Sequence, residues 1–486
     1  MTSREWLALA APVVPAVGSL AVGIAPRHAI SALGLASALA SALVAATLAV
    51  VALANADDPI ATDWLVVDVA AGLIVGVVAL VGLASALTSP VYLRSSVTEL
   101  VRPERGPRLY YGALLAFWAV LVAVPIAGNL GIAWLLIEAT TAASVLLVGF
   151  SGRATALEAG WKYLVLTSLG LGVALLGIVL ISPSVEGGLG GLSWSSLGSI
   201  DEGSDRLSTA FVLLLAGLAA KVGWAPVHNW LPDAHSEAPP PVSALLSAAL
   251  LPAVLVVAWR SDRALAPAVG EDTARSLLVG FGLLSLAVAV PFLWRALTWK
   301  RLLAYSSLEH MGVLALGLAF ATPLAIAGVI IHLVGHAVAK ALGFYAATPL
   351  LAHAPSAAGR AASGIGRTSP ALGASLGISL GTLAGLPPSP LFASEVLIVA
   401  GGFSAGLPWE ATAAAVLLAL GFLGLGHTLL DVLVGKARKR DAASPIGLRG
   451  VVALTAVATL VLLALTAAAP WLPGSQIVDA LVGETT

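Results

Sequence analysis

Fourteen stretches of this chain stay apolar for about twenty residues each, near 6–24, 29–54, 64–88, 110–127, 129–150, 161–182, 208–230, 241–260, 274–294, 301–321, 323–350, 371–402, 410–434 and 450–470. That length suits a helix crossing the hydrocarbon of a bilayer, and each such stretch must be helical because a backbone in lipid has to satisfy its own hydrogen bonds. Composition agrees: of 486 residues, 59% are hydrophobic and 10% charged, where a soluble protein has about 25% charged. Mean hydropathy is +0.99. The fold class expected is an all-α integral membrane protein with the lipid bilayer as its solvent. The net charge of −1 argues against nucleic acid as a partner. The chain has no cysteine, which excludes disulfides, thiolate-held iron–sulfur clusters and C-x-x-C-H haem attachment. Any electron-transfer chemistry therefore resides in other subunits, or nowhere. The first stretch contains Pro12 and Pro15 and lacks a strong basic flank, so it reads as a first span rather than a cleaved signal.

Basic residues test the count. With the N-terminus outside, the cytoplasmic connections carry Arg27; Arg94, Arg102, Arg105 and Arg108; Arg153 and Lys162; Arg295, Lys300 and Arg301; Arg360 and Arg367; and Lys436, Arg438, Lys439, Arg440 and Arg449. That is 17 of the 24 Lys and Arg. The opposite side holds Arg4, Arg206, Arg260, Arg263 and Arg275, with acids at Asp57, Asp58, Asp201, Glu202 and Asp205. The positive-inside rule thus fits fourteen spans with both termini outside. The high alanine content points to a prokaryotic plasma membrane.

Two spans are interrupted: span 7 around Gly223 and Pro226, and span 12 at Pro387 and Pro388. Proline removes a backbone donor and clashes with the preceding turn, so such a break survives only against protein or a water-filled cavity. The two breaks, and the starts of spans 4 and 9, are each separated by about 160 residues. Spans 4–8 and 9–13 then form two five-helix units that enter the membrane from opposite sides, an inverted repeat of the ion-transporter kind. The organisation expected is 1–107 for spans 1–3, 108–265 for the first unit, 266–445 for the second, and 446–486 for span 14 and the tail.

Ionisable residues inside the spans carry the chemistry. Each costs about 2.5–3.5 kcal/mol at a helix centre on insertion scales. Glu138 stands alone in span 5, and Lys221 precedes the break of span 7. His332, His336 and Lys340 recur every four residues in span 11, along one helical face. Glu395 follows the double-proline break. Glu309 and His310 open the apolar part of span 10, near its basic end, where they fit either a buried role or the interface. His228, Asp233, His235 and Glu237 follow the Pro226 break, as a route for proton uptake or a hydrated loop. Asp68 opens span 3 and is expected to face the interface. A static Glu138–Lys221 pair and hydrogen-bonded core histidines are the bland alternatives. A metal site is disfavoured because Lys340 would repel a cation, although H-x-x-x-H has suitable spacing.

Such a row suits proton or cation movement. A buried lysine holds its proton when a carboxylate is close and releases it when the carboxylate withdraws. A hundredfold to thousandfold swing in proton affinity is worth about 2.7–4.1 kcal/mol. One charge crossing the membrane field takes about 2.3 kcal/mol per 100 mV, so the two are commensurate. Histidines suit the intermediate steps, with water bridging the gaps.

The segments KVGWAPVHNWLPDAHSEAPPPVSALL, RLLAYSSLEHMG, HLVGHAVAKALGFY and LAGLPPSPLFASE resemble the antiporter-like membrane subunits of respiratory complex I and of Mrp-type cation/proton antiporters. The likeness extends to hydrogenase-4 component F and related subunits of energy-converting hydrogenases. It covers spans 4 to 13; the others are similar only in hydropathy. The resemblance implies fourteen helices in two inverted five-helix repeats, Glu138 and Lys221 as a modulated pair, His332, His336 and Lys340 as a relay, and Glu395 as the terminal group. It implies no cofactor in this chain, with iron–sulfur and nickel–iron centres in partner subunits. The partners implied are other antiporter-like subunits and a soluble redox arm. One departure stands out: many relatives carry a lysine or histidine in span 8, where this chain has Leu251 and Pro252.

The function expected is proton translocation within a redox-driven complex of the hydrogenase, formate hydrogenlyase or complex I type. The rivals are an Mrp-type Na+/proton antiporter module, a membrane subunit coupling proton flow to inorganic-carbon uptake, and a non-transporting scaffold.

Overall fold

The computed structural model describes residues 1–95, 106–200, 203–295, 297–353, 363–436 and 447–483. Arg102, Arg105, Asp201, Glu202, Arg360, Arg438, Lys439 and Arg440, counted above in the charge asymmetry, lie outside the described residues.

Helices follow the apolar stretches closely. They are α1 (Ser3–Ile24), α2 (Ile30–Ala54), α3 (Val69–Ser95), α4 (Gly106–Ala123), α5 (Leu130–Val148), α6 (Ala154–Ile181), α7 (Asp205–Val222) and α8 (Trp230–Glu237). Then come α9 (Pro240–Val269), α10 (Glu271–Leu293), α11 (Trp299–Phe320), α12 (Pro323–Tyr345), α13 (Pro370–Leu383), α14 (Pro390–Ser404), α15 (Pro408–Val434) and α16 (Leu448–Ala468). Among the described residues, twelve helical segments are long and apolar enough to cross a membrane. The pairs α7/α8 and α13/α14 are the two interrupted stretches.

One boundary moves. The third stretch was expected to begin at 64, but its start holds a short strand, β2 (Val66–Val67), paired antiparallel with β1 (Ile60–Ala61) just before it. The helix begins only after Asp68, whose carboxylate accepts the Ala71 N–H at 2.7 Å. That is an N-cap, which satisfies a donor the first turn leaves free.

Asp68 itself corrects the interfacial expectation. It is buried, and both its oxygens lie 2.7 Å from Arg260 Nη2. Arg260 Nη1 also donates to the Pro125 carbonyl at 2.6 Å. Arg260 was assigned to an external loop; it is interior because α9 runs on as helix to Val269. This pair ties α3, α9 and the α4–α5 connection together.

Small residues bring helices close. Gly170 of α6 faces Ala220 of α7, and Gly217 of α7 faces Ala174. A side chain at either glycine would collide with the other helix, the close approach that drives helix association in lipid.

The two breaks share a local plan. Gly223 ends α7 at φ 84°, and Gly385 follows α13 at φ 70°. This left-handed conformation favours glycine. Three residues after each glycine comes a proline, Pro226 or Pro388, preceded by a cis peptide bond. The chain then turns, with Val227 N–H on the Trp224 carbonyl at 3.0 Å and Ser389 N–H on the Leu386 carbonyl at 2.9 Å. Neighbouring protein closes the first break: Trp224 Nε1 donates to the Met311 carbonyl at 2.8 Å and Ala225 N–H to Ser285 Oγ at 3.0 Å. The freed backbone is thus satisfied without lipid.

Candidate proton path

Lys221 sits in the last turn of α7, where the helix dipole favours a cation. It is fully buried. Its Nζ donates to Thr141 Oγ1 at 2.7 Å and to Tyr163 OH at 2.6 Å, and it lies 4.4 Å from the centre of the Tyr163 ring. Ser144 and Tyr163 are joined at 2.8 Å. Glu138, one turn before Thr141 on α5, accepts Ser168 Oγ at 2.6 Å; its other oxygen has no protein partner. Glu138 is within electrostatic reach of Lys221. The two make no direct ion pair. Two hydroxyls hold the ammonium in the carboxylate's place.

The second cluster is denser. His332, His336 and Lys340 of α12 are fully buried. Glu309 and His310 are buried in mid-α11, not at an interface, because every residue of α11 from Leu302 to Phe320 is covered by protein. His310 Nδ1 and His332 Nε2 are 3.0 Å apart, and His332 Nδ1 is 2.9 Å from Ser394 Oγ of α14. The His310 ring centre lies 5.2 Å from that of His336, neither of whose nitrogens has a protein partner. Lys340 donates to the Leu303 carbonyl at 2.5 Å and to Ser306 Oγ. Glu395 brings a carboxylate oxygen within 4.8 Å of nitrogens of His310 and His332. It lies at the second break: a Cβ on Gly385 would stand 2.7 Å from Glu395 Oε2. Pro387 and Pro388 thus place the helix break beside Glu395.

The polar stretch after Pro226 divides. His235 turns inward, fully buried, with Nδ1 on the Leu231 carbonyl at 2.9 Å and Nε2 without a protein partner. It is within electrostatic reach of His336 and Lys340. Asp233 turns to the basic end of the bundle, 2.8 Å from Arg301 and 3.4 Å from Lys162. Glu237 pairs with Arg153 at 3.0 Å. Lys300 donates to the Ser236 carbonyl at 2.6 Å and to that of Ala238. His228 is buried two residues after Pro226 of the break.

His310, His332 and Glu395 are the one group of three potential metal ligands among the described residues. Two of their nitrogens already share a hydrogen bond, and three ligands leave a structural zinc site one short. The set reads better as a hydrogen-bonded relay. The hydroxyls that connect the charges, Thr141, Tyr163, Ser306 and Ser394, were not identified from the sequence. Their only signal there is a polar group three or four residues from a buried charge, or on a facing span.

Comparison with known proteins places this architecture. Residues 127–421 match the family described as NADH:quinone oxidoreductase/Mrp antiporter, transmembrane. A hydrogenase-4 component F homolog from Methylacidiphilum infernorum is 31% identical over 376 residues, covering 75% of this chain and 78% of that one. Two solved structures share the fold. One is a chain of the membrane-bound sulfane sulfur reductase, an archaeal respiratory membrane complex, with TM-score 0.86, 20% identity, and 99% and 98% of the two chains covered. The other belongs to the Mrp complex from Dietzia sp. DQ12-45-1b, with TM-score 0.84, 20% identity, and 99% and 97% covered. A buried row of acid, lysine and histidine side chains in an apolar helical bundle and a matched region of this length lead to one assignment: the chain belongs to the NADH:quinone oxidoreductase/Mrp antiporter membrane family.

Proposed function

We propose that this chain translocates protons along its buried row, as one membrane subunit of a redox-driven complex of the hydrogenase-4 type. The observation that carries the reading is the second cluster. Four titratable side chains, His310, His332, His336 and Glu395, lie within one or two proton-transfer steps of each other inside an apolar bundle. His310 Nε2 and both nitrogens of His336 are buried without a protein partner; such groups in a membrane are costly, and a purely structural core has no use for them.

In this reading the chain crosses the membrane fourteen times, as spans 4–8 (108–265) and 9–13 (266–445) related by inversion, flanked by 1–107 and 446–486. Both termini lie on the non-cytoplasmic side of a prokaryotic plasma membrane. Lys221 holds its proton on Thr141 and Tyr163 while Glu138 is near, and releases it as Glu138 withdraws. His235 takes protons up beneath the charged belt of Asp233. Lys340, His336, His310 and His332 relay them, and Glu395 discharges them. Glu309 supplies the counter-charge for Lys340. Electrons stay in iron–sulfur and nickel–iron centres of a soluble arm, since this chain has no cysteine.

The test is proton uptake by proteoliposomes containing the complex under an imposed potential. Lys221→Ala should abolish it; a wild-type rate in that variant refutes the reading. Sodium-dependent collapse of a pH gradient would instead favour an antiporter module.

A further inference from the structure

Between the two clusters stands α9, and its sequence from Ala238 to Trp259 contains no ionisable residue. Its only side chains there able to exchange a proton are Ser243 and Ser247. Ser243 is committed locally, donating to the His235 carbonyl at 2.8 Å. Ser247 is not. It is fully buried, and its Oγ lies 2.8 Å from Ser307 Oγ of α11.

The backbone around Ser247 is irregular. Residues Leu246–Leu250 form a π-helical turn, and Leu251 N–H goes to the Leu246 carbonyl. The next acceptor in that series is the Ser247 carbonyl, but the next residue is Pro252, which has no N–H. Ser247 therefore presents a hydroxyl and a carbonyl without its in-register donor at one point of a buried helix. Such π-turns within α-helices recur at functional sites.

The hydroxyl also reaches the edge of the second cluster, where Ser307 and Lys340 share one acceptor. Ser307 Oγ donates to the Leu303 carbonyl at 2.9 Å, and Lys340 Nζ donates to the same carbonyl at 2.5 Å. Lys340 also bonds Ser306, the neighbour of Ser307. A serine hydroxyl has one proton to give and two lone pairs to accept with, and it rotates between them.

We propose that Ser247 is the proton-passing group of the central helix, carrying protons between the Lys221 side and Lys340 through Ser307 and bound water. The step breaks no bond to carbon. The hydroxyl accepts one proton from a water on the Lys221 side as it gives its own to Ser307; Ser307 passes its proton through a second bound water to Lys340 when that amine is deprotonated, and rotation of the two hydroxyls resets them. The π-turn has a defined part: its carbonyl anchors that water beside the hydroxyl.

This inference rests on the proton-translocation reading, and the experiment separates the two. Proton uptake by proteoliposomes of the complex is compared for wild type, Lys221→Ala, Ser247→Ala, Ser247→Thr, Ser307→Ala and the Ser247→Ala/Ser307→Ala double variant. All are checked for assembly by size-exclusion chromatography. Expected are at least a tenfold loss for Ser247→Ala, substantial recovery for Ser247→Thr, and a double variant no slower than the slower single one. Wild-type uptake in Ser247→Ala, with Lys221→Ala inactive, overturns the role of Ser247 and leaves the wider reading standing. Equal loss in the alanine and threonine variants assigns Ser247 to packing and also overturns it. Wild-type uptake in Lys221→Ala removes the reading on which both depend.

Discussion

Replacing Asp68 by asparagine isolates the value of the buried ion pair that links the N-terminal helices to α9. Asparagine is a good N-cap, so the bond to Ala71 N–H survives while the charge goes. Arg260, only 8% exposed, then keeps the Pro125 carbonyl but loses its counter-ion. Breaking a buried pair from one side costs about 3–5 kcal/mol, because an uncompensated charge is left inside. Adding Arg260→Met removes that charge and restores apolar packing, and replacing both partners of such a pair is often neutral or better. The double variant should therefore recover most of the loss. Denaturant unfolding in detergent micelles, followed by tryptophan fluorescence, reads both effects. A single variant within about 1 kcal/mol of wild type, or a double variant no more stable than the single, refutes the argument that losing Asp68 strands an uncompensated charge on Arg260.

Three further outcomes follow from the same geometry. Tyr163→Phe removes one of the two hydroxyls on Lys221, a loss of about 1–3 kcal/mol for a buried charged group. Proton uptake should fall at least tenfold while assembly is kept. Gly421→Val places a side chain directly on the Glu309 carboxylate and should reduce uptake as Glu309→Gln does, measured in the same liposomes. Gly385→Ala puts a Cβ both into a left-handed conformation and against Glu395. It should lower thermal stability and slow uptake together, whereas Gly426→Ala, with open space around it, should change neither.

Much of the bundle was legible because lipid leaves so few choices. An apolar run of the right length can only be a helix or part of one, so the expected stretches and the observed helices agree to within a few residues at most ends. The failures came where a side chain rather than hydropathy sets the boundary. Val66 and Val67 are as apolar as any helical residue, yet Asp68 caps the helix after them. Arg260 looked like a loop residue because charge usually ends a span; its partner lies 192 residues away. Spacing of four put His332, His336 and Lys340 on one face, and the structure buries all three. The same spacing carried no information on His310, whose contact with His332 joins two helices. Nor could sequence tell that Thr141 and Tyr163, rather than Glu138, would touch Lys221. Leu251 and Pro252 read as the loss of a base, whereas in three dimensions the same proline sits beside a π-turn that turns attention to Ser247.

Water positions decide the matter most directly. In a cryo-EM map of the assembled complex in lipid nanodiscs, sharp enough to resolve solvent, ordered molecules should join Tyr163 and Lys221 to Ser247, and His235 to His336 and Glu395, with no gap wider than one hydrogen bond. Tightly packed hydrocarbon filling those intervals would contradict the account.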